Sequence, residues 1–246
     1  MSNIIELTSI NNDVVKKTYS LVMKKNRDEK IILEGEKSVL GALDAGYKII
    51  DLFFEDEKFN YDAQNKYKVN RKILEKLSTT KSPAPVIATI SRPKAKTSDF
   101  LKFKKIALFE GIKDTGNLGT ILRSAEAFGI EGIILQGNST DPYSSKVIRA
   151  SAGNIFKMPI LENTELAQFK KTHKFLTTVV SGGEQLSADD TKGNFIIVFG
   201  SEADGVSKEI LTYSDKNITL PIKKTVESLN LAVCASIFFF EISKSE

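Results

Sequence analysis

In the second part of the chain, short apolar runs alternate with amphipathic stretches. Six runs are apolar at most successive positions and are bounded by turn residues: KIALFEG, EGIILQG, FKMPI, KFLTTVVSG, NFIIVFG and NITLPI. Continuous apolar strands are typical of a parallel sheet that is covered on both faces. Helical patterns lie between most of the runs, and one follows the last. The pattern predicts an α/β domain built on a parallel sheet.

The first part of the chain predicts a smaller α/β unit. Helices are predicted in DVVKKTYSLVM, EKSVLGALDAG and NRKILEKLS, and strands in KIILEG and KIIDLFFE. The segment SRPKAKTSDFLKFKK is polar and basic and contains Pro93, which is typical of a linker. We therefore predict two domains, one over residues 1–95 and one over residues 100–246.

Composition adds a weak indication of a nucleic-acid partner. The 246 residues are 41% apolar and 27% charged, as in an ordinary globular protein. The net charge of +4 arises in the first part, because residues 1–99 carry 18 Lys and Arg against 14 Asp and Glu, whereas residues 100–246 carry 17 of each. Solvated helix faces explain such an excess equally well.

The chain has few of the residues on which many catalytic classes depend. One cysteine, Cys234, excludes an intramolecular disulfide and a cysteine cluster for zinc. The one histidine, His173, lies in KKTHKFL before a predicted strand and is expected to be solvated. No apolar run approaches the roughly 20 residues that span a bilayer, and the N-terminus lacks a signal-peptide pattern. We expect no metal, no membrane partner and a cytoplasmic location.

Two polar turns follow predicted strands, where a parallel sheet binds its ligands. In FEGIKDTGNLGTILRSAEAFG, Asn117 is the predicted N-cap of an amphipathic helix. Arg123 lies off the apolar stripe of that helix, so its guanidinium can meet a phosphate or a carboxylate. In IIVFGSEADGVSKEI, Glu202 follows a buried strand that ends at Gly200. A solvated arginine and a carboxylate that complements a helix dipole are the simpler explanations.

A third polar stretch opens the last helix, in LPIKKTVESLNLAVCASIFFF. Ser228 is the predicted N-cap, but the capping-box position three residues later is Leu231 instead of Glu or Gln. At least one of Glu227, Ser228 and Asn230 therefore has a purpose other than sealing the helix. Free N–H groups and short polar side chains at a helix start favour a polar or anionic ligand.

Together, in this order and spacing, the three stretches resemble the three motifs of the SpoU (TrmH-like) family of RNA ribose methyltransferases, in the SPOUT superfamily. DTGNLGTILRSAEAFG is similar to the first motif, IVFGSEADGVS to the second and LPIKKTVESLNLAV to the third. SSKVIRASAGNIFKMPI is similar to the middle of that domain, so the likeness covers about residues 100–243. The stretch TSINNDVVKKTYSLVMKKNRDEKIILEG resembles the ribosomal-protein-like domain that precedes many of these enzymes. Lys224 departs from a usual glycine.

The resemblance implies a fold and a reaction. The fold is a C-terminal, trefoil-knotted, parallel-sheet SPOUT domain preceded by a small ribosomal-protein-like α/β substrate-binding domain. The reaction is transfer of a methyl group from S-adenosylmethionine to a ribose 2′-hydroxyl, which needs neither a metal nor a covalent intermediate. A base carbon as acceptor would call for a nucleophilic cysteine, and Cys234 is expected inside the last helix and not at its mouth. A base nitrogen needs only positioning and stays open as an alternative acceptor.

The resemblance also assigns the site residues. The implied catalytic set is Asn117, Arg123, Glu202, Ser228 and Asn230. The implied cofactor-binding set is Gly200, Leu220, Ile222 and Leu229. Arg123 is expected to anchor an RNA phosphate while the other catalytic residues orient Arg123 and the ribose, because a guanidinium keeps its proton. A role for Arg123 as a general base is the less favoured alternative.

RNA and a second copy of the chain are the expected partners. Ribosomal RNA is favoured over transfer RNA, because the two-domain layout resembles ribosomal RNA enzymes. A transfer RNA 2′-O-methyltransferase stays open, and so does a non-catalytic RNA-binding or ribosome-assembly protein, given Lys224. The family domain pairs as a homodimer, and three successive phenylalanines, 238–240, span about 200° of a helix. One buried face does not hide all three, so we predict a homodimer.

Overall fold

The computed structural model describes residues 3–23, 28–223 and 225–244, and the chain divides into two compact units. The first unit contains residues 1–93 and 143–156, and the second contains residues 94–142 and 157–246. The predicted domains, 1–95 and 100–246, remain a prediction. The compact units differ from them because residues 143–156 pack within the first unit. Lys224, where the sequence departs from the family, lies outside the described residues.

The helices and strands follow one another in chain order. As far as residue 100 they are β1 (Ile4–Leu7), α1 (Asp13–Val22), β2 (Lys30–Glu34), α2 (Glu36–Asp44), β3 (Asp51–Phe54), β4 (Asn65–Val69), α3 (Arg71–Leu77), β5 (Val86–Ser91) and α4 (Thr97–Phe100). Beyond it they are β6 (Lys105–Glu110), α5 (Thr115–Ala127), β7 (Gly132–Gln136), α6 (Ser145–Ala150), β8 (Ile160–Glu162), β9 (Lys174–Thr178), β10 (Phe195–Phe199), α7 (Lys208–Leu211), β11 (Lys216–Ile218) and α8 (Leu231–Ser243).

The first unit is built on a mixed five-stranded sheet in the order β1-β4-β3-β5-β2. Strand β4 is parallel to β1 and β3, whereas β5 is antiparallel to β3 and β2. The predicted helices α1, α2 and α3 and the predicted strands β2 and β3 are confirmed. One face of the sheet packs against α1 and α3, where Val15, Phe53 and Leu74 are fully buried.

The second unit is built on six strands in the order β11-β9-β10-β6-β7-β8, all of them parallel. The prediction of a parallel sheet is confirmed, although β8 begins at Ile160, where the predicted run FKMPI ends. Every residue of the central strand β10 is buried. The ring of Phe199 stacks on Phe109 at 4.8 Å and meets the rings of Phe238 and Phe239 edge-on. Helix α8 therefore covers the sheet beside the ends of β6 and β10.

His173 is buried, so the prediction of a solvated histidine was wrong. Its Nε2 lies 2.8 Å from the carbonyl oxygen of Phe103, and its Nδ1 lies 2.8 Å from Oγ1 of Thr172. Burial lowers the pKa of the imidazole, against the hydrogen bond to Phe103. The ring fills a structural position, because both of its nitrogens are engaged by the second unit.

Two further searches cover residues 3–23, 28–223 and 225–244 only. None of the helices there combines the length and the apolar character that crossing a bilayer requires. Nor do the side chains described bring three or more His, Cys, Asp or Glu residues together in a group that could hold a metal ion.

Candidate active site

Three segments that are distant in sequence meet at the carboxyl edge of the second sheet. Strands β6 and β10 are neighbours with Phe109 opposite Phe199, so the turns that follow them emerge side by side. Asn117 donates a hydrogen bond through Nδ2 to Oε1 of Glu202. Asn230 donates through Nδ2 to Oδ1 of Asn117 over 3.1 Å. One residue from each of the three motif-like stretches thus joins a continuous hydrogen-bonded group.

Helix α5 begins one turn earlier than predicted, and this frees Asn117. The N-cap is Asp114, whose Oδ1 accepts the backbone N–H of Asn117 at 2.7 Å. The prediction of Asn117 as the cap was therefore wrong. An aspartate three residues upstream caps a helix equally well, and it leaves the Asn117 amide group in the first turn, available to Glu202 and Asn230.

Helix α8 is capped by Asn230 and not by Ser228, which corrects a second prediction. Oδ1 of Asn230 accepts the N–H groups of Ala232 and Val233 at 2.9 and 3.3 Å, while its Nδ2 reaches Asn117. Asn230 thus seals the helix and joins the polar group at once. The side chains of Glu227 and Ser228 form no hydrogen bond with the described residues and line a cavity instead.

The turn that presents Glu202 is closed by two glycines. A Cβ at Gly200 would lie 2.0 Å from the carbonyl carbon of Gly205, so no other residue fits there. Ser201 and Gly205 exchange backbone hydrogen bonds of 3.0 and 3.1 Å, and Gly205 has a φ of +69°. The far end of the turn is fixed by Glu110 at the end of β6, whose Oε2 accepts the Ser207 N–H at 2.7 Å.

A cavity of about 700 Å³ opens beside this turn. All four predicted cofactor-binding residues line it, together with three of the five predicted catalytic residues: Gly200, Leu220, Ile222 and Leu229, and Glu202, Ser228 and Asn230. Asn117 and Arg123 do not belong to the lining. Asn117 is joined to the lining by its hydrogen bonds with Glu202 and Asn230, which both line the cavity.

Arg123 lies on the exposed side of α5, two turns of the helix or less from Asn117. Within the described part of the chain, its guanidinium forms no hydrogen bond or ion pair. The neighbouring Ser124 faces α8, where its Oγ lies 2.7 Å from Oγ of Ser236. The structure therefore brings together Asn117, Glu202 and Asn230, whereas Arg123 is not held by any other residue that the structure describes.

Two parts of the cavity wall were not predicted from the sequence. Cys234 and Phe238 line it from α8, although Cys234 was expected within the helix and away from its mouth. With Asn230 they recur every fourth residue, and this spacing was the signal. Burial raises the pKa of the Cys234 thiol to about 11, so the thiol is protonated at neutral pH. Thr178, the last residue of β9, and Val179 and Val180 after it line the cavity as well, and the glycines in VVSGG mark the turn that follows.

Comparisons with known proteins extend over almost the whole chain. The family model of the SpoU rRNA Methylase family matches residues 104–240, and that of the MRM3-like substrate binding domain matches residues 12–88. An uncharacterised tRNA/rRNA methyltransferase of Synechocystis sp. is 29% identical over 262 residues, which cover 100% of this chain and 96% of that protein. The 23S rRNA (guanosine(2553)-2′-O)-methyltransferase RlmP of Bacillus subtilis is 25% identical, over 96% of this chain and 98% of RlmP.

A solved structure agrees with these matches. The crystal structure of an AdoMet-bound rRNA methyltransferase from Sinorhizobium meliloti has a TM-score of 0.86 to this chain, with 28% identity and 98% of each chain covered. The predicted fold class, an α/β methyltransferase domain on a parallel sheet preceded by a small substrate-binding domain, is confirmed by this likeness and by the two family models, while the trefoil knot stays a prediction.

Proposed function

The chain belongs to the SpoU rRNA methylase family and is an RNA ribose 2′-O-methyltransferase that uses S-adenosylmethionine, and we propose that its methyl acceptor lies in ribosomal RNA. The likeness to RlmP, which its name describes as a 23S rRNA guanosine 2′-O-methyltransferase, supports this acceptor and spans both parts of the chain. The match of residues 12–88 to a substrate-binding domain supports it as well. Ribosomal RNA as the acceptor implies that the enzyme acts in the cytoplasm.

The observation that carries the proposal is the group Asn117, Glu202 and Asn230 at the mouth of the 700 Å³ cavity. Small-molecule sites in proteins commonly have about 300–1,000 Å³, so the volume fits a cofactor of nucleoside size. Leu220, Ile222 and Leu229 offer apolar walls for a flat ring. Carboxylates of the same lining favour a positively charged ligand. When bound, S-adenosylmethionine supplies a methyl group on a positively charged sulfur.

Glu202 is the residue that we assign to the ribose. Its Oε1 accepts the hydrogen bond from Asn117, and its Oε2 has no partner in the described part of the chain. A carboxylate oxygen in this state accepts a hydrogen bond from a hydroxyl and fixes the direction of the hydroxyl's lone pairs. Because Asn117 is itself held by Asn230, the orientation of Glu202 is set before the substrate arrives.

Arg123 and Ser228 complete the proposed catalytic set. The free guanidinium of Arg123 pairs with an RNA phosphate in two parallel hydrogen bonds, which places the adjoining sugar. The hydroxyl of Ser228, exposed in the cavity lining, is a second partner for the ribose or the cofactor. Neither role requires Arg123 or Ser228 to give up a proton.

Methyl-tritiated cofactor and total RNA test the proposal. A 2′-O-methyl group blocks alkaline cleavage of the adjoining phosphodiester, so we expect the label in alkali-resistant dinucleotides from ribosomal RNA. Label released as mononucleotides would contradict the ribose as acceptor. Mapping of ribose methylation with and without the gene identifies the RNA, and a loss confined to transfer RNA would contradict the ribosomal assignment.

We also propose that the enzyme is a homodimer that pairs through α8. Phe238 and Phe239 are buried within the chain, whereas Val233, Ile237 and Phe240 are 49%, 37% and 46% exposed. These three recur at intervals of four and three residues, so they form one apolar stripe on the outer side of the helix. A two-fold axis would bury the stripe against its copy. Sedimentation should give about 54 kDa, twice the chain mass of 27.2 kDa; a monomer at micromolar concentration would contradict it.

A further inference from the structure

The connection between β9 and β10, residues 179–194, forms one rim of the cavity. Val179 and Val180 line the cavity at the start of this connection, and Thr219 and Leu220 line it from the end of β11. Backbone hydrogen bonds hold the two segments together: Val179 N to Ile218 O at 2.9 Å, Thr219 N to Glu184 O at 2.8 Å, and Glu184 N to Asn217 O at 3.0 Å. The connection thus runs beside β11 like a short extra strand.

A glycine permits this close approach. A Cβ at Gly183 would lie 2.7 Å from Cγ2 of Val179 and 2.9 Å from the carbonyl carbon of Ile218. Any other residue would push the connection away from β11, and Val179 would move with it. The width of the cavity on this side therefore depends on how tightly residues 179–194 are held against β11.

One lysine at the start of β11 holds the rest of the connection. Nζ of Lys216 lies 2.9 and 2.8 Å from the two carboxylate oxygens of Asp190, and 3.1 Å from Oε2 of Glu184. Asp190 also accepts the N–H and the hydroxyl of Ser187 at 2.8 and 2.7 Å, and its side chain is only 13% exposed. Burial raises the pKa of the Asp190 carboxyl, but the hydrogen bonds from Lys216 and Ser187 outweigh it and lower the pKa.

A second ion pair in the same connection makes a natural control. Lys192 lies 2.6 Å from Asp189, and both side chains are more than three-quarters exposed. The pair joins two residues three positions apart and does not reach β11. It has the same chemistry as the pair of Lys216 with Asp190, but it does not tie the connection to the sheet.

We propose that Lys216 is a positioning residue for S-adenosylmethionine: by binding Asp190 and Glu184 it holds residues 179–194 against β11 and so fixes the rim formed by Val179 and Val180. The inference rests on the proposed cofactor cavity. Lys216 itself does not belong to the lining, so its effect on the cofactor passes through the connection. It should alter affinity for the cofactor and leave affinity for RNA unchanged.

Calorimetry with S-adenosylmethionine on the full chain tests this. Lys216→Met keeps the apolar stem and removes the charge, and we expect a Kd about five-fold higher, as loss of a partly buried ion pair implies. Lys216→Arg should bind within about two-fold of the wild type, because a guanidinium also pairs with a carboxylate through two hydrogen bonds. Lys192→Met should bind as the wild type does. Binding of a ribosomal RNA fragment should be equal in all four proteins.

Each other outcome overturns the inference. A folded Lys216→Met protein with the wild-type Kd would do so, and so would equal losses of cofactor and RNA affinity, which indicate general damage. If Lys216→Met does not fold, Asp190→Asn gives the same comparison, and an unchanged Kd there is equally decisive. A wild-type chain that binds no S-adenosylmethionine would overturn the proposed cavity and the inference with it. A wild-type chain that binds, with variants that bind equally, overturns the inference alone.

Discussion

Two glutamates near the ends of strands show how differently the two units use a carboxylate. Glu34 ends β2 in the first unit, and its side chain is only 4% exposed. Glu202 follows β10 in the second unit and is exposed. Both accept hydrogen bonds from the protein, but Glu34 has both of its oxygens engaged, whereas Glu202 has one oxygen engaged by the residues that the structure describes. A carboxylate satisfied by its own unit stabilises the fold, and one left half open can serve a ligand.

The surroundings of Glu34 explain its charge. It accepts hydrogen bonds from the hydroxyls of Ser78, Thr79 and Thr80, from the Thr79 N–H at 3.2 Å, and from Nη1 of Arg149 at 3.2 Å. Burial raises the pKa of this carboxyl, but the hydrogen bonds from residues 78–80 outweigh burial, so the pKa is lowered. Arg149 belongs to residues 143–156, so this carboxylate joins that segment to the rest of the first unit.

The largest effect is expected at the candidate active site around Glu202, from Arg123→Ala. We expect turnover to fall by about 100- to 1,000-fold, as for the loss of one charge-stabilising donor from an active site. The Kd for S-adenosylmethionine should stay within about two-fold, because Arg123 does not line the cavity. Single-turnover kinetics and calorimetry measure the two quantities. Glu126→Gln, on the same helix and also exposed, is the control. A parallel loss of cofactor binding would contradict the phosphate role.

The next effect separates the two glutamates directly. Glu34→Gln should lower the free energy of unfolding by about 2–3 kcal/mol, because it removes a buried charge to which several donors are directed. Glu202→Gln should change it by less than about 0.5 kcal/mol, since the side chain is exposed, and should reduce turnover instead. Urea unfolding and turnover, measured on both variants, check this. Equal loss of stability would remove the distinction between a closed and an open carboxylate.

Acid should weaken the contribution of Glu34 and its hydrogen-bond donors to the stability of the fold. The pKa of Glu34 in the folded protein lies below its ordinary value of 4.5. A lowered carboxyl pKa contributes stability that is fully present above the unfolded pKa and is lost as the pH falls through the folded pKa. The stability difference between wild type and Glu34→Gln should therefore be constant above about pH 6 and shrink below pH 4.5. Urea titrations across this range measure it. A difference that grows on acidification would contradict the sign.

The sequence predicted the candidate active site around Glu202 better than the hydrogen-bonded group around Glu34, and the reason is physical. Asn117, Glu202 and Asn230 each follow an apolar strand, and all parallel strands end at one edge, so the strand pattern brings their three turns together, while the resemblance to the family motifs named the residues. The donors to Glu34 come from residues 78–80 and from Arg149, which no local pattern relates to β2. Burial of such a charge depends on chain segments that meet only after folding.

The wrong and missing predictions elsewhere also concern features that local sequence patterns define poorly. Asp114 and Asn117 are both good helix caps, and in the structure Asp114 is the cap and accepts the N–H of Asn117. His173 is buried, and its Nε2–H donates to the carbonyl oxygen of Phe103, which lies 70 positions earlier in the chain and which no local pattern relates to it. Strands β1, β4 and β5 were not predicted, and in β4 the lysines that alternate with Tyr67 and Val69 give only a short strand signal.

The smallest effect is expected at Cys234, which tests the comparison from a third side. Like Glu34 it is an ionisable group withdrawn from solvent, but no donor in the described residues is directed at it, so burial alone acts and raises the thiol pKa to about 11. Compared with the ordinary value of 9.0, this leaves about 100-fold less thiolate near neutral pH. Alkylation by iodoacetamide should therefore be about 100-fold slower in the native chain than in the unfolded chain. Cys234→Ala should keep turnover within about two-fold, because a ribose hydroxyl, unlike a base carbon, needs no attacking thiolate. Rapid labelling of the native thiol would contradict the raised pKa, and a Cys234→Ala variant that folds and binds the cofactor but is inactive would mean that the thiol takes part in the chemistry.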